Sequence, residues 1–467
     1  MIFSLHSLVV ALLLPAVAVA APDSNDLSVF PQTIFLPWIS PFSRSSTYTP
    51  SVRGSILGKR FNFPIDTGST GVLISASLLP SVKLTANNPT GWEFLDSSDI
   101  LYNGRFVDLN ITFFGSNGEQ AVSRVPVLVV TTIVKCPGYD VNTGNGVCPS
   151  DKLDRAWSQS RRTVLYMGVG FGRNVRGSGI LYGTPDHNAF INVISLSRYK
   201  QLFLRQGYTV STKGVYLGLT GGNTNGAVWQ QLEKMAGSDP RAWAPPLVSF
   251  THDDSNNPVQ AQALIDTGIT QMYIQSMPEL PLPNVTTRNA SPPPQTVTRV
   301  KPGTKLVFAF PDFKVGVAGY DFIVGDTGFP SQPRYVQPVT SGPGPFVNTG
   351  RNFLYGFSIA FDAVAGRFGF ICQKCTDDKS AGGPKQSPTQ LSGAKSPGTK
   401  APKQDGNWWD DYKSDYAERD KAAAGNEGKQ VGTTADLSKG DDLGTWWNMY
   451  KSEYDQRKTA ALDGTGA

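Results

Sequence analysis

The chain has 467 residues, of which 39% are apolar and 17% are charged, and glycine and proline account for 48 and 34 positions. So many turn residues, beside many valine, isoleucine and aromatic residues, exclude a helical bundle and predict short strands joined by loops. The net charge of +5, the three histidines and the four cysteines argue against a nucleic-acid-binding protein and against a zinc site built from those residues.

The first twenty residues have the pattern of a secretory signal peptide. Residues 8–20 form an apolar run that ends in Ala18-Val19-Ala20, the small-residue pattern of a cleavage site. This run is too short to span a membrane, and no later segment is long and apolar enough to do so. We therefore expect cleavage after Ala20 and a secreted, extracellular protein without a membrane span.

Residues 48–375 read as a succession of strands with two helices among them. Apolar periodicity predicts one helix over residues 191–205 and another over residues 227–235. The predicted strands lie at residues 61–65, 107–114, 125–134, 164–169, 215–219, 261–265, 305–310 and 357–361. The predicted fold class is all-β.

The cysteines and the glycosylation sequons both fit an oxidising, secretory compartment. Four cysteines allow three pairings, and proximity along the chain favours two local disulfides, Cys136–Cys148 and Cys372–Cys375. Asn-x-Ser/Thr sequons begin at Asn110, Asn284 and Asn289.

The composition changes near residue 376. Residues 376–406 hold one large apolar residue, Leu391, so this segment is predicted to be a low-complexity linker. Residues 407–467 form a tail in which a WW-x2-YKS-[DE]-Y motif begins at Trp408 and again at Trp446. Paired tryptophans favour a glycan or protein partner, which includes association with a cell wall, and the alternative is two helices that pack on the main domain. Both interpretations remain open.

A second repeat contains the candidate catalytic residues. Residues 61–70 and 261–270 share the pattern I-D-T-G-x-T, and in each copy an apolar strand runs into an acid and a glycine turn. One D-T-G triplet is weak support for a site, because an ordinary turn aspartate produces it too. Two copies in the same context give strong support, and they make Asp66 and Asp266 the candidate catalytic pair.

This pair of motifs resembles the pepsin-like aspartic proteases, in which two lobes each contribute one D-T-G loop to a shared cleft. Tyr166-Met167-Gly168 is similar to the segment that closes the family's first psi-shaped loop, and Gly350 stands at the second such glycine. The resemblance implies a bilobal, pseudo-symmetric all-β fold, with an N-terminal lobe at residues 21–212 and a C-terminal lobe at residues 213–375. It also implies a monomer that acts on polypeptides.

The resemblance assigns roles to the loop residues. Two carboxylates about 3 Å apart cannot both ionise cheaply, and aspartic proteases are the standard example of the shared proton that results. The ionised aspartate takes a proton from water while the other polarises the scissile carbonyl, so neither a metal nor a cofactor is expected. The residues that would support the dyad are Thr67, Gly68, Ser69, Thr267 and Gly268.

The second loop departs from the family pattern. Ile269 stands where the family usually carries a hydroxyl that supports the second carboxylate, so we expect Asp266 to lack a donor and its pKa to rise. Asn348 and Thr349 also replace the two apolar residues that normally precede the second psi-loop glycine.

The flap that closes the family's cleft is poorly matched in this sequence. Leu73 replaces the tryptophan that steadies the flap, and Tyr102 and Gly104 are the candidate flap residues. A rival hypothesis from another class therefore stands beside the enzyme, namely a pepsin-like fold that is retained as a binding or inhibitory module.

Overall fold

A computed structural model describes residues 25–375, except for residues 96–98, 141–142, 159–162, 173–183, 236–238, 254, 256, 279, 289–295, 327 and 340–343, together with residues 383–385. The predicted signal peptide, the sequon at Asn289 and the aromatic repeats that begin at Trp408 and Trp446 lie outside the described residues.

The regular secondary structure of the described chain is almost entirely β-strand, which confirms the all-β prediction. Its α-helical part is a single short segment, α1, at Arg155–Ser158. The strands are β1 (Ile34–Pro37), β2 (Ser51–Ile56), β3 (Lys59–Asp66), β4 (Thr70–Ser75), β5 (Thr90–Leu95), β6 (Ile100–Phe114), β7 (Gln120–Lys135), β8 (Leu165–Val169), β9 (Val193–Leu196), β10 (Arg205–Val210), β11 (Gly214–Leu219), β12 (Ala227–Gln231), β13 (Leu247–His252), β14 (Val259–Leu264), β15 (Met272–Gln275), β16 (Asn284–Arg288), β17 (Thr296–Val300), β18 (Lys305–Phe310), β19 (Ala318–Ile323), β20 (Val336–Pro338), β21 (Phe346–Asn348), β22 (Phe357–Asp362), β23 (Arg367–Cys372) and β24 (Gly383–Lys385).

Three large sheets organise these strands. The first sheet has the order β5-β6-β2-β3-β8-β4-β7-β9, and the second has the order β20-β15-β21-β14-β13-β18-β19-β24. A six-stranded bridging sheet, β1-β11-β10-β22-β23-β12, combines strands from distant parts of the chain. The predicted boundary between residues 212 and 213 falls inside the bridging sheet, in the hairpin where Val210 pairs with Val215. A separate ribbon pairs β16 with β17.

The eight predicted strands all coincide with observed strands, whereas both predicted helices are wrong. The segment at residues 191–205 contains β9, which pairs with β7. The segment at residues 227–235 contains β12, which pairs with β23 along its whole length. Apolar spacing in a short segment does not separate a helix from a strand, and the available pairing partner decides between them.

Three residues of the predicted linker form a strand. Residues 383–385 form β24, which pairs with β19 at the edge of the second sheet. Pro384 is buried there, and a Cβ built on Gly356 would lie 2.4 Å from its Cγ atom. These three residues therefore belong to the second sheet and not to a linker.

One continuous apolar cluster runs through all three sheets. The rings of Phe171 and Phe361 stack in it with their centroids 3.8 Å apart, and this contact joins a loop of the first sheet to the bridging sheet. The favoured cysteine pairing is confirmed, since Cys136 is bonded to Cys148 and Cys372 to Cys375. None of the described helices is long and apolar enough to cross a membrane.

An ion triad with a buried carboxylate stabilises the bridging sheet. Asp362, which is fully buried at the end of β22, accepts two hydrogen bonds from the Arg205 guanidinium at 2.9 and 3.0 Å. It accepts a third, at 3.0 Å, from Arg367 on β23. The carboxylate thus compensates two guanidinium groups that are largely removed from water, and neither could be left unpaired at low cost.

Replacing this carboxylate should destabilise the fold strongly. We expect Asp362→Asn to lower the free energy of unfolding by about 3–5 kcal/mol, because it leaves the buried Arg205 and the partly buried Arg367 without their counter-charge. Urea denaturation measures the change. The matched control is Asp108→Asn, which breaks the exposed pair between Asp108 and Arg124 and should cost less than about 1 kcal/mol. Equal losses in the two variants would contradict the role assigned to the triad.

Candidate active site

The two D-T-G loops meet at one point between the first and second sheets. Asp66 ends β3 and Asp266 follows β14, and the two residues are only 8% and 7% exposed. A Cβ built on Gly268 would lie 2.6 Å from Asp266 Oδ1 and 2.8 Å from Asp66 Oδ1. A Cβ on Gly68 would lie 2.5 Å from Asp266 Cγ. Both carboxylates therefore converge on the glycine turns, which have no room for a side chain.

Crossed hydrogen bonds between the two threonines hold the loops together. The Thr67 N–H donates to Thr267 Oγ1 at 3.0 Å, and the Thr267 N–H donates to Thr67 Oγ1 at 3.0 Å. Each hydroxyl then donates to a carbonyl of the opposite loop, Thr267 to Ile65 at 2.7 Å and Thr67 to Ile265. All these groups are buried. Each of them has a hydrogen-bond partner in the opposite loop, as buried polar groups require.

The Asp66 carboxylate accepts from three groups of the first sheet. The Gly68 N–H donates to Oδ1 at 2.7 Å. The Ser69 hydroxyl donates to Oδ2 at 2.9 Å, in the role that the sequence predicts for it, and the Tyr166 hydroxyl donates to the same oxygen at 3.0 Å. The resemblance places Tyr166 only in the segment that closes the psi-shaped loop, and the structure adds its hydrogen bond to the carboxylate.

The Asp266 carboxylate has a donor that the sequence did not indicate. The Gly268 N–H donates to Oδ1 at 2.6 Å, as in the first loop. The Asn348 amide, Nδ2, donates to Oδ2 at 2.8 Å. The expectation that Ile269 leaves this carboxylate without a side-chain donor is therefore wrong, because Asn348 on β21 supplies the hydrogen bond from another part of the chain.

Tyr166 and Asn348 occupy equivalent positions in the two sheets. Asp66 pairs with Gly168 where β3 runs parallel to β8, and β14 runs parallel to β21 in the same way. Each donor lies two residues before the psi-loop glycine of its sheet, Gly168 or Gly350. Gly350 has a φ of 67°, and a Cβ there would lie 2.4 Å from the Gln271 carbonyl oxygen, so the close approach requires glycine.

A buried cation lies beside the second loop. Arg351 is fully buried, and its guanidinium donates to the carbonyls of Ser43, at 3.3 Å, and Ser45. Burial lowers the pKa of Arg351 to about 10, while the nearby Tyr48 and Asp266 act in the opposite direction. The guanidinium is therefore still charged at neutral pH, and its charge favours the ionised form of Asp266.

The predicted flap residues lie inside the first sheet. Tyr102 and Gly104 are in β6, beyond the turn of the β5–β6 hairpin, where Tyr102 pairs with both β5 and β7. The Tyr102 side chain is fully buried in a cluster with Leu73 and Tyr166. Leu73 therefore packs around Tyr166, the tyrosine that donates to Asp66. Tyr102 is not exposed at a hairpin tip.

A third D-T-G triplet occurs at residues 326–328, and the structure separates it from the other two. The Gly328 N–H donates to Asp326 Oδ1 at 2.8 Å, which is the same local turn that Asp66 and Asp266 make. Asp326 is exposed, however, in the loop after β19. The local motif is thus the same in all three places. The position of the triplet in the fold decides whether its carboxylate meets another one, as in Asp66 and Asp266, or lies on the surface, as in Asp326.

The remaining predicted sites are on the surface. Asn110 in β6 and Asn284 at the start of β16 are both exposed. Among the described residues, no group of three or more His, Cys, Asp or Glu side chains could hold a metal ion. A search of protein-family models gives no match to this chain, and a search of curated proteins gives none either.

The crossed threonine bonds should be worth more than a typical hydrogen bond. We expect Thr267→Val to lower the free energy of unfolding by about 1–3 kcal/mol for each of the two groups that it leaves unsatisfied, the Thr67 N–H and the Ile65 carbonyl. Urea denaturation tests this. Thr267→Ser keeps the hydroxyl and should retain most of the stability, so a serine variant as unstable as the valine variant would refute the assignment.

Proposed function

We propose that this protein is an aspartic endopeptidase in which Asp66 and Asp266 activate the water that hydrolyses a peptide bond. The observation that carries the proposal is the convergence of the two carboxylates on Gly68 and Gly268. The crossed bonds of Thr67 and Thr267 support it, because they give the pair a fixed separation. The proposal includes the pepsin-like bilobal fold with the dyad between its lobes.

The chemistry requires one ionised and one protonated carboxyl. The ionised carboxylate takes a proton from water as the water oxygen bonds to the scissile carbonyl carbon, and the other carboxyl gives its proton to the carbonyl oxygen. The resulting tetrahedral diol then collapses: the C–N bond breaks, the amine nitrogen gains a proton from the first carboxyl, and one diol hydroxyl returns a proton to the second. The dyad regains its single proton, and a carboxylic acid and an amine leave.

The low exposure of the dyad is suited to this reaction. Carboxylates that are 7–8% exposed interact more strongly with each other and with the fixed N–H donors than they would in water. The two confirmed disulfides and the exposed sequons at Asn110 and Asn284 are compatible with the proposed secretion of the protein. Its substrates would be polypeptides.

We expect Asp66→Asn and Asp266→Asn each to lower peptide hydrolysis at least about 1,000-fold, because either variant removes one member of a catalytic unit. The assay incubates the full-length secreted protein with denatured casein between pH 3 and 7 and quantifies the released peptides. A statine-type inhibitor, which places a hydroxyl between the two carboxyls, should block the wild-type activity.

Asp326→Asn is the matched control, since it changes the same triplet and the same local turn at an exposed position. This variant should cleave casein at the wild-type rate. Near-wild-type turnover by either dyad variant would overturn the assignment. If the wild-type protein cleaves nothing across this pH range, the binding-module hypothesis replaces the enzyme.

A further inference from the structure

The two carboxylates of the dyad are held by different chemical kinds of donor on their outer oxygens. Asp66 Oδ2 accepts from two hydroxyls, those of Ser69 and Tyr166. Asp266 Oδ2 accepts from an amide N–H of Asn348. The inner contacts are alike, since Gly68 and Gly268 each donate an N–H to Oδ1 of their own aspartate. The difference therefore lies at the outer oxygens.

Hydroxyl and amide donors respond differently to a proton. A hydroxyl both donates and accepts, so Ser69 or Tyr166 can rotate and accept a hydrogen bond from a protonated Asp66 Oδ2. The nitrogen of a carboxamide only donates. Both oxygens of Asp266 accept from N–H groups that cannot act as acceptors, so a proton on either oxygen finds no acceptor among these donors and weakens the hydrogen bond already made there.

The orientation of the Asn348 amide is fixed by a second contact. Its Oδ1 atom accepts a hydrogen bond from the Gly350 N–H at 3.0 Å. Turning the amide over would place its NH₂ group against this N–H and its oxygen against the Asp266 carboxylate, so two favourable contacts would become two repulsive ones. Asn348 is 6% exposed, so solvent gives little compensation for that arrangement.

From this asymmetry, and on the basis of the proposed function, we propose that Asn348 is a positioning residue that keeps Asp266 ionised, so that Asp266 is the base and Asp66 carries the dyad's proton. The charged and titratable groups around the dyad agree with this assignment. They are Tyr166 beside Asp66, and the Arg351 cation with Tyr48 and Tyr355 on the side of Asp266.

The first test needs no catalytic activity. A donor that favours an ionised carboxylate adds stability above the ordinary aspartate pKa of about 3.9, and that stability is lost as the pH falls below this range. Asn348→Leu should therefore lower the urea midpoint markedly at pH 6–7 and much less at pH 2–3. The double variant with Ile269→Thr should recover part of the loss at pH 6–7, because the new hydroxyl stands where Ser69 stands in the first loop.

Asn352→Leu is the matched control for this test. Asn352 is also buried, four residues from Asn348, and its amide donates to the Gln332 carbonyl at 2.7 Å and not to an aspartate. Its loss of stability should be independent of pH between 3 and 7. If Asn348→Leu shows the same pH-independent loss, the proposal is overturned. Should Asn348→Leu not fold, Asn348→Ala takes its place with the same expected and refuting results.

The second test measures kcat/KM from pH 2 to 8. We expect Asn348→Leu to move the acid limb upward by about one to two pH units, and Ile269→Thr in the same chain to move it back. Tyr166→Phe should leave the acid limb within about 0.3 units, since Asp66 does not need to be ionised for activity. An acid limb that moves more in Tyr166→Phe than in Asn348→Leu would reverse the assignment of base and acid.

The two assays separate the inference from the proposed function. If the protein cleaves no peptide, but its Asn348→Leu variant loses stability mainly above pH 5, the dyad asymmetry stands and the proposed peptidase function is refuted. If the protein cleaves peptides and Asn348→Leu leaves its pH profile unchanged, the proposed function stands and the role of Asn348 is refuted.

Discussion

The crossed hydrogen bonds between Thr67 and Thr267 are the contact on which the site depends. They join two loops that are 200 residues apart in the sequence, and in each bond the backbone N–H of one threonine donates to the hydroxyl of the other. Two carboxylates repel each other at short range, so a structure that holds them together must supply compensating interactions. The threonines supply these interactions beneath the carboxylates, and the rest of the site builds on the fixed separation that results.

The side-chain donors around the dyad come from both sheets and follow the symmetry of the two loops. Tyr166 and Asn348 stand at equivalent strand positions, but one is a phenol and the other a carboxamide. The similar strand arrangements thus present chemically unequal groups to the two carboxylates. This inequality matters because a shared proton can be localised only if the two carboxyl environments differ.

The bridging sheet explains how the loops reach each other. Strands β11 and β10 are neighbours that lie between β1 and β22. The chain therefore passes from the first sheet into the bridging sheet, and after the second sheet it enters the bridging sheet again. The Arg205–Asp362–Arg367 triad and the stacked rings of Phe171 and Phe361 stabilise this sheet and its contact with the first. The ion triad and the ring stack therefore join segments that are distant in the sequence.

The sequence by itself predicted eight of the described strands, favoured the observed disulfide pairing and singled out the two aspartates, because alternating apolar residues, short cysteine spacings and repeated motifs are local signals. It misassigned residues 191–205 and 227–235, whose short apolar patterns become strands through pairing with β7 and β23. The tertiary structure alone decided that Asn348 replaces the donor absent at Ile269, since 79 residues separate them. It also decided that Asp326, in an identical triplet with an identical turn, is a surface residue. A motif fixes the local backbone, but only the packing of distant strands decides whether two carboxylates meet.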